Sequence, residues 1–157
     1  MKTLSTYTLA IAMAALTVGC KKDSEPTPPT KTELLTAKKW RVTAASTVTT
    51  VGTNSVTVDE YAGFPACERD DFRQFLASKV LNFDEGATKC DVNDPQTTSG
   101  VWDFNSDQTK LTFGAPGSSF VGQADLAELS ATTLKIRQTD TSTPGTTEVS
   151  TLTFTAF

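Results

Sequence analysis

The chain has 157 residues, with 14 basic and 18 acidic side chains and a net charge of −4. That balance excludes the basic surface a nucleic acid would require. Histidine is absent altogether, which removes the usual neutral-pH proton carrier, any Ser-His-Asp or Cys-His arrangement and any histidine-based zinc site. The composition therefore implies no cofactor, and the expectation is a protein that is not an enzyme.

At the N-terminus, Lys2 precedes an apolar run from Leu9 to Val18, followed by Gly19 and Cys20. Such a run is too short for a hydrocarbon core, which takes about twenty residues, but has the length of a signal-peptide apolar region. The layout resembles a bacterial lipoprotein signal peptide, in which residues 1–19 are removed and Cys20 carries fatty chains such as palmitate. Each buried methylene contributes about 0.8 kcal/mol, so several chains anchor a protein firmly to a membrane. Residues 20–31 contain Pro26, Pro28 and Pro29 and lack apolar periodicity. They read as a tether able to hold a domain roughly 30 Å from the bilayer. Acidic residues in Lys22-Asp23-Ser24-Glu25 resemble the surface-export signals of Bacteroidota lipoproteins. The expected location is the cell envelope, anchored in the outer membrane, with the facing side open between periplasm and exterior.

Residues 32–157 then form one domain of about 125 residues, enough to bury a core. With Cys20 assigned to lipid, Cys67 and Cys90 are the remaining thiols in an oxidising compartment, and a disulfide between them is expected. Their spacing is far from Cys-x-x-Cys, and no histidine is present to activate either one.

Thr32 to Lys39 reads as a short helix capped by Thr32, with Leu34 and Leu35 as its apolar contact. From Trp40 the period becomes two, placing Trp40, Val42 and Ala44 on one face of a first strand. That strand runs to Val51, turns at Gly52-Thr53-Asn54 and returns over Ser55–Val58. Asp59-Glu60-Tyr61 suggests one helical turn before Gly63 and Pro65. Short strands follow over Phe72–Leu76, Lys79–Asp84 and Ser99–Phe104, then around Leu111 and Phe113 up to a loop at Gly114-Ala115-Pro116-Gly117. Phe120–Leu129, Thr132–Thr139 and Thr146–Phe157 complete the set, with Leu134/Ile136 and Leu152/Phe154 pointing inward and Pro144-Gly145 turning the last hairpin. Abundant threonine suits strands with one face in solvent. Short, evenly spaced strands joined by tight turns predict an all-β, up-and-down antiparallel barrel of about eight strands with a short N-terminal helical turn, since closure removes exposed edges.

Several of these stretches resemble the lipocalin-like domain family of Bacteroidota lipoproteins. The likeness is carried by Pro65-Ala66-Cys67-Glu68-Arg69-Asp70-Asp71, by Asp84-Glu85-Gly86-Ala87-Thr88-Lys89-Cys90-Asp91, by Asn93-Asp94-Pro95-Gln96 and by Gly100-Val101-Trp102-Asp103-Phe104-Asn105 with Leu111. A Leu-Leu helix turn before Trp40 and the stretch Leu129–Leu134 also fit. The resemblance implies a small lipocalin-like barrel over residues 32–157, with no assigned enzymatic activity and no established ligand residues.

Two constellations are candidates for a site. Glu68, Asp70, Asp71, Asp84, Glu85, Asp91 and Asp94 gather around the expected disulfide. Calcium takes such oxygen ligands, but the spacing matches no EF-hand, and Asp and Asn also serve simply as turn residues bonding their own backbone. Phe75, Phe83, Trp102, Phe104 and Phe113 are candidate walls of a cavity for a small apolar or amphiphilic ligand. Against this, an eight-stranded barrel is just wide enough for its own side chains to fill, and bulky rings on short strands favour a filled interior. Two functions remain: a ligand-binding envelope barrel, or a filled, non-enzymatic barrel that meets a protein partner or glycan through its outer face. In both, the membrane is reached through the lipid anchor and the chain is expected to be a monomer.

Overall fold

The computed structural model of the protein describes residues 27–114 and 122–157. Cys20, residues 1–19 and most of the tether lie outside the described residues, as does most of the loop expected to begin at Gly114. A six-residue helix α1 (Lys31–Thr36) is followed by nine strands, β1 (Lys39–Val51), β2 (Asn54–Asp59), β3 (Phe72–Phe75), β4 (Val80–Asp84), β5 (Thr97–Phe104), β6 (Lys110–Gly114), β7 (Gly122–Leu129), β8 (Thr133–Asp140) and β9 (Thr146–Ala156). All pairings are antiparallel, and β1 pairs with β9. The result is a closed up-and-down barrel of eight strands, β1 and β3 through β9, with β2 as an added arm.

The inner face follows the period of two. Trp40, Phe75, Leu81, Trp102, Leu111, Ala124, Leu134, Ile136 and Phe154 are buried and form one core with Leu35 of α1. Both tryptophans are almost fully buried, and each satisfies its indole N–H on a backbone carbonyl. Trp40 Nε1 donates to the Leu35 carbonyl at 2.8 Å and Trp102 Nε1 to the Leu76 carbonyl at 2.9 Å. A buried indole requires such a partner. The first bond also ties α1 across one end of the barrel, where Lys31 Nζ reaches the Gln108 carbonyl at 2.6 Å.

Two local details depart from the sequence expectation. The helix starts at Lys31, and its cap is Thr30 rather than Thr32, because Thr30 and Glu33 exchange hydrogen bonds in a capping box. In β1 the register shifts between Val42 and Ala44. This bulge admits Thr43 as an extra residue and reverses the alternation beyond it, so Ala45 is buried and Ala44 exposed.

The wall is uneven. One edge of β1 pairs with β9 from Trp40 to Val51. Its other edge is divided: Lys39 and Trp40 pair with Gln74 and Arg73 of β3, whereas Ser46 to Val51 pair with β2. Between those two pairings the chain of residues 60–71 fills the gap, with short 3-10 turns at Tyr61–Gly63 and Ala66–Glu68. The Glu60 N–H donates to the Ala45 carbonyl at 2.9 Å and attaches this segment to the wall.

Candidate functional site

The residues 60–71 are fixed by local polar bonds and one covalent bond. Arg69 donates from Nε to the Phe64 carbonyl (3.0 Å) and from Nη2 to the Ala62 carbonyl (3.2 Å), folding the segment back on itself. Cys67 is disulfide-bonded to Cys90 with Cα atoms 5.2 Å apart, ordinary spacing for such a bridge. Beside it, Asp70 accepts hydrogen bonds from the Ala87 N–H at 2.8 Å, the Thr88 N–H at 2.9 Å and the Thr88 hydroxyl at 2.8 Å. The Thr88 hydroxyl bond leads in holding the Asp70 carboxyl below its usual range. Gly86 makes this approach possible. Its φ of +69° is in the left-handed region, and a Cβ there would lie 2.4 Å from the Asp70 carbonyl oxygen.

The acidic cluster is therefore largely occupied with its own turns. Asp84 accepts from Thr97 Oγ1 (2.7 Å), from Gln96 Nε2 (3.0 Å) and from the Gly86 N–H (3.0 Å), and Asp91 accepts from the Asn93 N–H at 2.9 Å. Among the described residues no group of three or more Asp, Glu, Cys or His side chains is gathered as a metal site. Asp70, Asp84 and Asp91 act as turn acceptors.

Behind this stapled segment the barrel interior holds open space. A cavity of about 330 Å³ extends from Trp40, Leu134 and Phe154 near the α1 end to Phe64, Glu68 and Asp71 near the disulfide end. A second space of about 280 Å³ adjoins it, sharing Phe64, Phe113, Ile136 and Leu152 and bounded further by Glu60, Gln138 and Ser150. The bulky rings thus fill part of the interior, as expected, and this space lies beside them. Gly122 is a buried wall position against which the Phe113 ring packs, since a Cβ there would meet that ring at 2.9 Å.

Of the five aromatics expected to line a cavity, Phe75, Phe83 and Phe113 border it. Trp102 and Phe104 do not. They stack edge-on in a row with Phe75, at 5.6 Å between successive ring centroids, and belong to the packed part of the core.

Sequence reasoning missed the polar wall. Asp71, Arg73 and Phe75 alternate along the chain, so a buried Phe75 places Arg73 and Asp71 on the inward side as well. Arg73 is half-buried, with its guanidinium carbon 4.7 Å from the Phe83 ring centroid and one hydrogen bond to the Phe72 carbonyl at 3.3 Å. Burial lowers its pKa from the ordinary arginine value, partly offset by Asp71 and Glu85. Asp71 Oδ1 is buried without a hydrogen-bond partner. Burial, then the charge of Glu85, pushes the Asp71 carboxyl up to about 6, with Asp70 and Glu68 adding to the rise and Arg73 opposing it. The signal for this wall was present in the sequence as charged residues in phase with Phe75 across a short strand.

Comparison with protein-family models and with curated proteins finds no match for this chain.

Proposed function

We propose that this protein is a lipid-anchored, lipocalin-like envelope barrel that holds a small apolar or amphiphilic molecule in its lumen without transforming it. One observation carries the reading: the cavity of about 330 Å³, walled by Trp40, Val42, Leu81, Phe83, Phe113 and Leu152, with Glu68, Asp71 and Arg73 as the charged groups on its border. Concave apolar spaces of this order with a few convergent polar groups are the usual form of small-molecule sites. A filled barrel acting only through its outer face fits this interior less well. The disulfide accords with an extracytoplasmic location, while acylation of Cys20 and the outer-membrane anchor rest on the signal-peptide resemblance.

The test uses the two tryptophans, since Trp40 borders the cavity and Trp102 does not. A neutral apolar probe such as N-phenyl-1-naphthylamine is expected to bind, gain fluorescence and quench the indole emission of a Trp102→Phe variant. Leu152→Phe and Ile136→Trp, which fill the lumen, are expected to weaken that binding while the folded spectrum is retained. Equal probe binding by the filled variants would place the probe elsewhere and remove the lumen reading.

A further inference from the structure

Every barrel strand has a neighbour on both sides, because β1 closes on β9; among the described residues β2 alone ends the sheet. All six residues of β2 are exposed. The Glu60 N–H bonds the Ala45 carbonyl, which fixes the phase of the ladder beside it. In the register Thr47↔Val58, Thr49↔Val56 and Val51↔Asn54, the backbone groups of Val58, Val56 and Asn54 turn toward β1. The N–H and C=O groups of Ser55, Thr57 and Asp59 therefore point away from the barrel, with no partner strand among the described residues.

Sheets ordinarily blunt such an edge with Lys, Pro or a bulge. β2 has none of these: it reads Asn-Ser-Val-Thr-Val-Asp, and its register on β1 runs without a shift. Val56 and Val58, 64% and 47% exposed, share one face of it.

We propose that β2 pairs with β2 of a second copy of this chain, antiparallel about a two-fold axis at Thr57. The occupant follows from the strand's self-complementarity. With Thr57 facing the partner's Thr57, Ser55 faces the partner's Asp59, and these outward residues exchange backbone N–H···O bonds across the axis. Val56 then faces the partner's Val58 at a non-hydrogen-bonded position, where side chains approach most closely. Each Ser55 hydroxyl lies beside an Asp59 carboxylate, and the two Asp59 charges sit at opposite ends of the pairing. Sliding one copy by two residues sets Val58 against Asn54 or Val56 against Glu60, so one register is favoured. The pairing is independent of the ligand reading and departs from the monomer expected of the sequence. A single strand pair is a small contact, below about 1,200 Å², so the dimer forms and dissociates readily.

Cysteines added singly to the purified protein test the register. Cα atoms of a hydrogen-bonded antiparallel pair are about 5.5 Å apart, within disulfide reach. Under mild oxidation Thr57→Cys is expected to link two copies at least about tenfold faster than Ser55→Cys, whose counterpart lies further along the partner strand. Sedimentation equilibrium of the parent from about 10 μM to about 1 mM is expected to show a reversible monomer–dimer equilibrium. Thr57→Pro, which removes an outward N–H and none of the β1 bonds, should leave a monomer. Val56→Lys with Val58→Lys should do the same by setting like charges opposite one another, and serves if the proline variant does not fold. A parent monomeric throughout, equal linking at the two cysteine positions, or a dimer that the folded variants retain overturns the proposal.

Discussion

The two ends of the barrel are built by different physics. At the α1 end, Trp40, Trp102, Leu35 and Leu134 are almost wholly removed from water, both indole N–H groups are satisfied by carbonyls, and tight turns join the strands. At the disulfide end, Phe64 is only partly buried and Glu60 and Glu68 are exposed. Order there comes from Arg69, Asp70, the Cys67–Cys90 bond and Gly86. One end is held by area removed from water, the other by geometry imposed locally. The cavity spans both, from Trp40 and Leu134 at the first to Phe64 and Glu68 at the second.

That contrast can be broken by substitution. Trp102→Ala removes a buried ring from the packed end and is expected to cost about 3–5 kcal/mol, measured by urea unfolding. Reducing the bridge, or Cys67→Ser with Cys90→Ser, opens a loop spanning a sequence separation of 23 residues. The chain-entropy argument gives a loss of about 3 kcal/mol. The two changes are distinguished by hydrogen exchange: the tryptophan change should loosen amides throughout the core, the bridge change chiefly those of residues 60–71 and 85–96.

The smallest expected effect is the most specific. Asp71 has its folded-state carboxyl raised to about 6, above its unfolded value. The folded state therefore holds the proton more tightly, and stability is lost as pH rises from about 4 through about 6. Asp71→Asn should abolish that loss and leave the variant slightly more stable than the parent at pH 7, by thermal unfolding across a pH series. An unchanged difference between the two proteins from pH 4 to pH 7 would mean that Asp71 is not buried against like charges. Asp70 and Asp84 shift the opposite way, each led by a threonine hydroxyl bond, and contribute a common background to both proteins.

Much of this architecture was legible in the chain. Gly52 and Pro144-Gly145 mark hairpins that form, with Gly52 and Gly145 at φ of +60° and +75°, and the inward pairs Leu134/Ile136 and Leu152/Phe154 follow from alternation. The fold could be read because the barrel strands have one wet and one drier face, whereas the added arm β2 is exposed throughout. What escaped depends on interruptions and on distant partners. The bulge at Thr43 leaves no residue-type mark, so Ala44 and Ala45 could not be told apart. Thr30 and Thr32 both can cap, and only the reciprocal bond from Glu33 selects the former. Trp102 and Phe104 looked like cavity walls because period two identifies a face but not whether the space before it is filled. Asp71 reads with the acidic cluster around the cysteines and Arg73 carries no mark of an inward place, since charge ordinarily signals solvent.

The division of one β1 edge between β3 and β2 has a mechanical consequence. Around most of the circumference neighbouring strands are zipped over several rungs, yet between β1 and β3 the cylinder is laced only at Lys39–Gln74 and Trp40–Arg73. Elastic compliance concentrates at that slit. Spreading it disturbs few interstrand rungs and leaves the long β1–β9 lacing untouched, so closure of the cylinder on this side falls to the segment 60–71, which the Glu60–Ala45 backbone bond and the Cys67–Cys90 bridge hold in place.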